Sequence, residues 1–180
     1  MEISLAELSI VKYNLSSIEK DCILTLLGRF VMKALIVYDS LYGNTEKIAK
    51  AIGDAITGEV KVVRPDEANP TELESIDLLI VGSPTQGGRQ TVATREFLGR
   101  IPADSLKNVR VTSFDTRIKT KLVKIFGYAA GRIANSLMDK GGSLVVPPEG
   151  FFVKGTRGPL VEGELERAAA WARGILKSNK

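Results

Sequence analysis

One short stretch, SLYGNT at residues 40–45, gathers small polar side chains directly after an apolar run. Hydroxyl and amide groups can surround a phosphate when a helix follows, because the first turn of the helix adds free N–H groups and a positive dipole end. Gly43 would let the backbone come close to such a group. The same residues also suit an ordinary helix N-cap formed by Ser40 or Asn44. Taken alone, the stretch leaves a phosphate site and a plain cap equally open.

Two further polar turns follow apolar runs later in the chain. GSPTQGG at residues 82–88 combines glycines with a proline and a threonine, which predicts a tight, rigid loop. SFDTR at residues 113–117 offers Asp115 and Thr116 as hydrogen-bonding groups for a flat heterocycle. Together the three turns favour a ligand crevice over bare connections.

The composition excludes several kinds of chemistry. The chain has no histidine and one cysteine, Cys22. A Ser–His–Asp triad, an imidazole-based zinc site and a His-ligated di-iron centre are therefore excluded, as are an internal disulfide and an iron–sulfur cluster held by this chain alone. Any redox chemistry would need a bound organic cofactor. The net charge of +4 comes from mostly scattered residues, so it permits anion binding but does not indicate a nucleic-acid partner.

Strand-like runs alternate with helical patterns from residue 33 onward. The runs lie at residues 33–38, 59–64, 76–82, 109–114 and 143–146. This alternation predicts an α/β fold, a three-layer doubly wound sandwich around a five-stranded parallel sheet in the order 2-1-3-4-5. Ligands bind such sheets at the carboxyl ends of the strands where the order reverses. We therefore expect the three polar turns to surround one crevice.

The last third of the chain gives two helical stripes and one long connection. The spacing of apolar residues predicts a helix from Leu122 to Leu137 and another from Leu165 to Leu176. Trp171 lies on the flank of the last stripe, and we interpret it as a packing residue. We interpret residues 147–164, rich in proline and glycine, as a loop beside the crevice that forms either a lid or an oligomer contact, or else a mobile connection.

Two of these motifs carry a family resemblance. IVYDSLYGNTEKIA at residues 36–49 resembles the flavodoxin signature around its phosphate loop, and GSPTQGG resembles the second flavin loop of that family. The first motif is also similar to the flavodoxin domain of flavodiiron proteins. The resemblance implies a five-stranded fold that binds FMN without covalent attachment.

The resemblance also implies the site residues. For the FMN phosphate they are Ser40, Leu41, Tyr42, Gly43, Asn44 and Thr45; for one side of the ring system they are Pro84, Thr85, Gln86 and Gly87; for the other side they are Phe114, Asp115, Thr116 and Arg117. Gly87 would allow its peptide to turn toward the flavin. No catalytic or metal-binding residue is implied.

The chain departs from the family pattern in two respects. Gln86 stands where flavodoxins often carry an aromatic residue beside the flavin, and the third turn has no tyrosine or tryptophan. Tyr42, Tyr128 or the Phe151–Phe152 pair are the candidates to replace it. Flavodoxins that shuttle electrons are typically acidic, whereas this chain is basic.

Three functions remain open at this point. The leading interpretation is an FMN-binding electron-transfer protein that shuttles electrons between redox partner proteins and has no substrate of its own. The alternatives are an FMN-dependent reductase of quinones that uses NADH or NADPH, and a flavodoxin-fold domain that has lost its flavin.

The first 31 residues do not share the α/β pattern, so we expect two parts. Residues 1–31 would be an extension, either a helical or dimerisation arm or absent from a natural chain that begins at Met32, and residues 32–180 would be the FMN-binding domain. The sequence lacks a signal peptide and a long apolar run, which predicts a cytoplasmic protein without membrane insertion. A homo-oligomer is compatible with the sequence.

Overall fold

The structure, a computed structural model, describes residues 31–119 and 127–178. The interpretation of residues 1–31 therefore concerns residues that lie almost wholly outside this part. Parallel strands form one sheet in the order β2-β1-β3-β4-β5, and a sixth strand also pairs with β4. The predicted order 2-1-3-4-5 is confirmed.

The elements follow one another in the expected alternation. The strands are β1 Lys33–Tyr38, β2 Glu59–Val63, β3 Leu78–Pro84, β4 Arg110–Ile118, β5 Ser143–Leu144 and β6 Glu149–Val153. The helices are α1 Asn44–Ala55, α2 Val92–Arg100, α3 Ala129–Met138 and α4 Glu164–Lys177, and a 3-10 helix spans Pro70–Ser75. The first part of the predicted helix Leu122–Leu137 falls on residues 120–126, outside the described residues, and its second part is α3.

Helices cover both faces of the sheet, which buries the central strands on both sides. β1 is buried along its whole length after Lys33, whereas β2 at the edge is only half-buried. On one face α2 and α3 pack through side chains such as Phe97, Ile133 and Leu137 into the main apolar core. On the other face α1 contacts α4. This three-layer arrangement explains why the strand sequences are near-continuous apolar runs.

The fifth strand is divided by a pair of prolines. β5 pairs with the start of β4 at Arg110 and Val111, and β6 pairs with its end from Phe114 to Ile118. Between them stand Pro147 and Pro148, which have no N–H to donate to a sheet. The interpretation of residues 147–164 as a loop was therefore wrong for the part that forms β6.

Three aromatic rings fill the space between the end of the sheet and α4. Phe114 and Phe151 meet edge to face with ring centroids 6.0 Å apart, and Trp171 lies 6.4 Å and 6.1 Å from them. The Phe114 ring lies over Gly82 of the neighbouring strand, where a Cβ atom would come within 2.1 Å of the ring. Trp171 is thus a packing residue, as predicted.

Candidate functional site

The first polar turn leads into an uncapped helix. Gly43 is the N-cap residue of α1, with φ of 78°, and no side chain in the described residues caps the helix by a hydrogen bond. A Cβ atom at Gly43 would meet no heavy atom within 4 Å, so the helix start faces open space. Because the first N–H groups of a helix have no partner within it, they are available to a ligand. The plain cap by Ser40 or Asn44 is thereby excluded.

The polar side chains of this turn have different environments. The Ser40 side chain lines the crevice and the residue is only 8% exposed, yet its Oγ has no hydrogen-bond partner in the described part of the chain. Asn44 Nδ2 donates to the backbone oxygen of Arg157 at 3.2 Å. Thr45 and Thr116 share a buried hydrogen bond of 2.8 Å between their hydroxyl oxygens. Ser40 therefore offers the free buried hydroxyl of the turn.

The second polar turn reverses the chain tightly. Gln86 and Arg89 exchange two backbone hydrogen bonds of 2.8 Å and 3.0 Å around Gly87 and Gly88. Both glycines have positive φ, 53° and 77°, as a type I′ turn requires. Pro84, Thr85 and Gln86 line the crevice, whereas Gly87 lies at the exposed tip of the turn. The expectation of a tight loop is confirmed.

The third segment is a strand end, not a turn. β4 continues to Ile118, so the predicted strand end at residue 114 was too early. The polar residues Asp115, Thr116 and Arg117 predict a turn here, but these residues are mostly buried in the strand. Thr116 bonds to Thr45 and Asp115 to Thr85, whereas Arg117 pairs with Asp115 of its own strand. Thr116 and Arg117 line the crevice, whereas the ring of Phe114 is buried in the aromatic cluster.

Asp115 is a fully buried carboxylate behind the crevice. Its Oδ2 accepts hydrogen bonds from Thr85 Oγ1 at 3.0 Å and from the backbone N–H of Ala130 at 2.9 Å. Burial raises the pKa of Asp115, and the positive charge of Arg117 partly opposes this change. Arg117 Nε lies 3.2 Å from Oδ1 in an ion pair, although Oδ1 itself has no hydrogen-bond partner in the described part of the chain. This carboxylate joins the second and third segments of the site.

Arg117 connects this carboxylate to the crevice. Its side chain is 14% exposed, and its guanidinium carbon lies 4.2 Å from the centre of the Tyr128 ring. Nη1 is buried without a hydrogen-bond partner in residues 31–119 and 127–178. One face of the Tyr128 ring is therefore already covered by the Arg117 guanidinium. Of the candidate aromatic replacements, Tyr42 lines the crevice and is 52% exposed.

Three lining residues were not predicted as site residues, although two of them lie in residues 147–164, the segment that was expected beside the crevice. Ile118, Val153 and Thr156 complete its lining. The last of these belongs to a turn at residues 154–159, closed by a hydrogen bond from the N–H of Lys154 to the oxygen of Pro159. The glycines of GTRGP were the available signal for a turn, but they could not show that the turn reaches the start of α1.

Two kinds of feature are absent from the described residues. No group of three or more acidic, cysteine or histidine side chains there is arranged to hold a metal ion. None of the helices in the described ranges is both long and apolar enough to cross a membrane.

Comparison with known proteins identifies the family. The flavodoxin family model matches residues 36–171, so the chain belongs to the flavodoxin family. A putative diflavin flavoprotein of Thermosynechococcus vestitus is 30% identical over 125 residues, which are 62% of this chain and 20% of that protein. An uncharacterized protein of Methanocaldococcus jannaschii is 36% identical over 77 residues, 42% of this chain and 50% of that one. The chain thus spans half or less of these curated relatives.

Solved structures show the same fold. A flavodoxin from the domain Archaea superposes with a TM-score of 0.68 at 22% identity, covering 83% of this chain and all of the other. Rubredoxin oxygen:oxidoreductase from Desulfovibrio gigas gives a TM-score of 0.61 at 21% identity over 81% of this chain, which corresponds to 36% of that enzyme. Both similarities concern the fold.

Proposed function

We propose that this protein binds FMN in the crevice and transfers electrons between redox partner proteins. The observation that carries the proposal is the free hydroxyl of Ser40, buried at the uncapped start of α1. A buried hydroxyl without a partner is destabilising, and a hydrogen bond donated by this hydroxyl to a phosphate oxygen would remove that cost. Membership of the flavodoxin family supports the same ligand.

The residues of the first turn fit a phosphate monoester. Ser40 would donate from its hydroxyl, and the first N–H groups of α1 would donate at the positive end of the helix dipole. The open space above Gly43 leaves room for the phosphate. Asn44 and Thr45 already bond to neighbouring segments, so their part is to hold the shape of the turn.

The other two segments would hold the flavin ring system. We assign one side to Pro84, Thr85, Gln86 and Gly87, and the other to the strand from Phe114 to Arg117, where Phe114 contributes backbone because its ring is buried. When bound, FMN supplies reversible transfer of one or two electrons. Asp115 holds the two segments together through its hydrogen bond from Thr85, with Arg117 as its ion-pair partner, and the exposed Gly87 peptide is free to turn toward the ring.

The phosphate assignment is tested with paired ligands and paired variants. FMN and riboflavin differ by the phosphate alone, so their affinities for the flavin-free protein isolate its contribution. Ser40→Ala should weaken FMN binding by about 10–100-fold, the range for one hydrogen bond to a charged group, and leave riboflavin binding unchanged. Ser105→Ala is the control, because its hydroxyl bonds to Pro102 at the opposite edge of the sheet.

A second experiment separates a carrier from a reductase. We expect the FMN-loaded protein to exchange electrons with one-electron acceptors, and to show no steady-state oxidation of NADH or NADPH with a quinone. Sustained turnover of that pair would favour the reductase.

Equal loss of FMN and riboflavin affinity in Ser40→Ala would contradict the phosphate assignment.

A further inference from the structure

We infer that the crevice is surrounded by a docking surface for an acidic electron-transfer protein. The surface consists of five exposed cations, which we call the cationic rim: Arg89, Lys119, Arg132, Lys154 and Arg157. The inference rests on the proposed function, since it assigns the chemistry of the partner that would meet the same site.

The cationic rim lies at one edge of the sheet. Arg89 closes the turn after β3, Lys119 directly follows β4, and Lys154 and Arg157 belong to the turn after β6. Since parallel strands end at the same edge, these residues share the edge that carries the crevice. Arg132, in the first turns of α3, donates from Nε to the oxygen of Gly88 at 3.0 Å and so stands beside the second turn.

The rim cations lack carboxylate partners within the described ranges, whereas two acidic side chains near them form ion pairs with other cations. None of the five forms an ion pair there. Asp39 pairs with Arg64 at 3.5 Å, and Glu149 pairs with Arg167 at 2.9 Å. Glu162 is the exposed carboxylate of the segment between β6 and α4 that is in no ion pair. The rim therefore carries an excess of positive charge.

Charged side chains elsewhere at the two edges of the sheet are arranged differently from those of the rim. At the opposite edge of the sheet, cations do have carboxylate neighbours: Lys33 lies 3.9 Å from Glu59, and Lys107 lies 3.3 Å from Asp104. On the edge that carries the crevice, the exposed residues Asp66 and Glu67 follow β2. The strand β1 separates β2 from the strands that carry the rim. Arg173 and Lys177 in the C-terminal half of α4 are also exposed and in no ion pair within the described ranges. What distinguishes the rim is therefore the position of its cations around the crevice.

Apolar side chains occupy the centre of the rim. Leu41, Tyr42 and Ile118 line the crevice and are 55%, 52% and 43% exposed. The guanidinium carbon of Arg157 lies 5.9 Å from the centre of the Tyr42 ring, which places that cation at the border of the patch. Protein–protein interfaces combine an apolar centre with a polar periphery in this way. An acidic protein fits this surface because opposite charges accelerate and orient encounter.

The test compares two one-electron acceptor proteins of opposite charge. Oxidation of the reduced, FMN-loaded protein is followed by stopped flow with a plastocyanin of acidic surface and with basic cytochrome c, over a range of ionic strengths. We expect the rate constant with plastocyanin to fall as salt is added, because salt screens attraction, and the rate constant with cytochrome c to stay level or rise.

Matched double variants locate the effect. Lys119→Gln with Arg157→Gln removes two rim charges and should lower the plastocyanin rate constant at low salt at least about threefold. Arg173→Gln with Lys177→Gln removes two exposed charges from the C-terminal half of α4 and should leave it unchanged. Circular dichroism and retained flavin absorbance confirm that each variant is folded and loaded.

Each outcome has a definite meaning. Loss of FMN from the wild-type protein on gel filtration would overturn the proposed function and this inference together. If FMN is retained but the rate constant with plastocyanin does not change with salt, the inference alone is overturned. The same holds if this rate constant falls equally in both double variants. Binding to phosphatidylserine vesicles at physiological salt through the rim cations would assign the rim to a lipid surface and would also overturn it.

Discussion

Replacing Gly82 by alanine tests the packing that holds the second and third segments of the site together. Gly82 of β3 lies opposite Phe114 of β4, and the phenyl ring covers it. The added Cβ would lie 2.1 Å, 2.4 Å and 2.6 Å from the three nearest atoms of that ring. Ordinary contact between carbon atoms is about 3.5–4.0 Å, so the overlap exceeds about 1 Å.

The ring has little room to move away. Phe114 is fully buried, and Phe151 and Trp171 pack against it at centroid distances of 6.0 Å and 6.4 Å. Overpacking of a core costs about 1–3 kcal/mol, and we expect Gly82→Ala to reach the upper end, about 3 kcal/mol. A loss of this size is a large part of the stability of an ordinary domain, about 5–15 kcal/mol.

Urea unfolding followed by fluorescence measures this loss directly, since Trp171 is the one tryptophan of the chain and contacts the ring. Gly99→Ala in α2 is the control, because its Cβ would meet nothing within 4 Å and a helix gains about 0.5–1 kcal/mol from the change. In a Phe114→Leu background the cost of Gly82→Ala should fall below about 1 kcal/mol. Equal midpoints for Gly82→Ala and Gly99→Ala would contradict overpacking of the Phe114 ring at Gly82.

Three further changes test the electrostatics and the second turn. Burial raises the pKa of Asp115 in the folded protein. The protonated side chain therefore contributes its full stabilisation below about pH 4, and this contribution declines as pH rises through the pKa of the folded state. The unfolding free energy of the wild type minus that of Asp115→Asn should therefore decrease as pH rises above about 4; an increase would contradict burial as the main cause. Arg167→Leu should cost about 1–2 kcal/mol in thermal unfolding, because the half-exposed guanidinium contacts both Glu149 and Glu164, and Arg167→Lys should recover only part of the loss. Gly87→Ala meets no atom within 4 Å, but the φ of 53° is unfavourable for alanine, so the variant should lose about 1 kcal/mol of stability and show a shifted first reduction potential of bound FMN; an unchanged potential would count against a role for its peptide.

The strand order and the first two turns were predictable because their signals are local. Near-continuous apolar runs indicate strands buried on both faces, and SLYGNT and GSPTQGG carry glycines where the turns adopt positive φ, at Gly43, Gly87 and Gly88. The end of β4 was not predictable in this way. Asp115 and Arg117 look like loop residues in the sequence, and they can be buried in a strand only because they pair with each other and with Thr85 of another loop.

The turn at residues 154–159 shows the same limit. Asn44 donates to the backbone of Arg157, a contact between residues separated by 113 positions in the chain. No local pattern of residues records such a contact. The division of the fifth strand was hidden for a related reason, since Pro147 and Pro148 indicate a break but do not reveal that pairing with β4 resumes at Glu149.

The decisive experiment for FMN binding is equilibrium titration of the flavin-free protein with FMN. Quenching of flavin fluorescence reports binding, and riboflavin in a parallel titration reports the contribution of the phosphate. We expect the protein to form a stoichiometric complex with FMN that survives gel filtration, and to bind FMN more tightly than riboflavin. FMN that elutes separately from the protein, or equal affinity for FMN and riboflavin, would contradict a phosphate site at Ser40 and the start of α1.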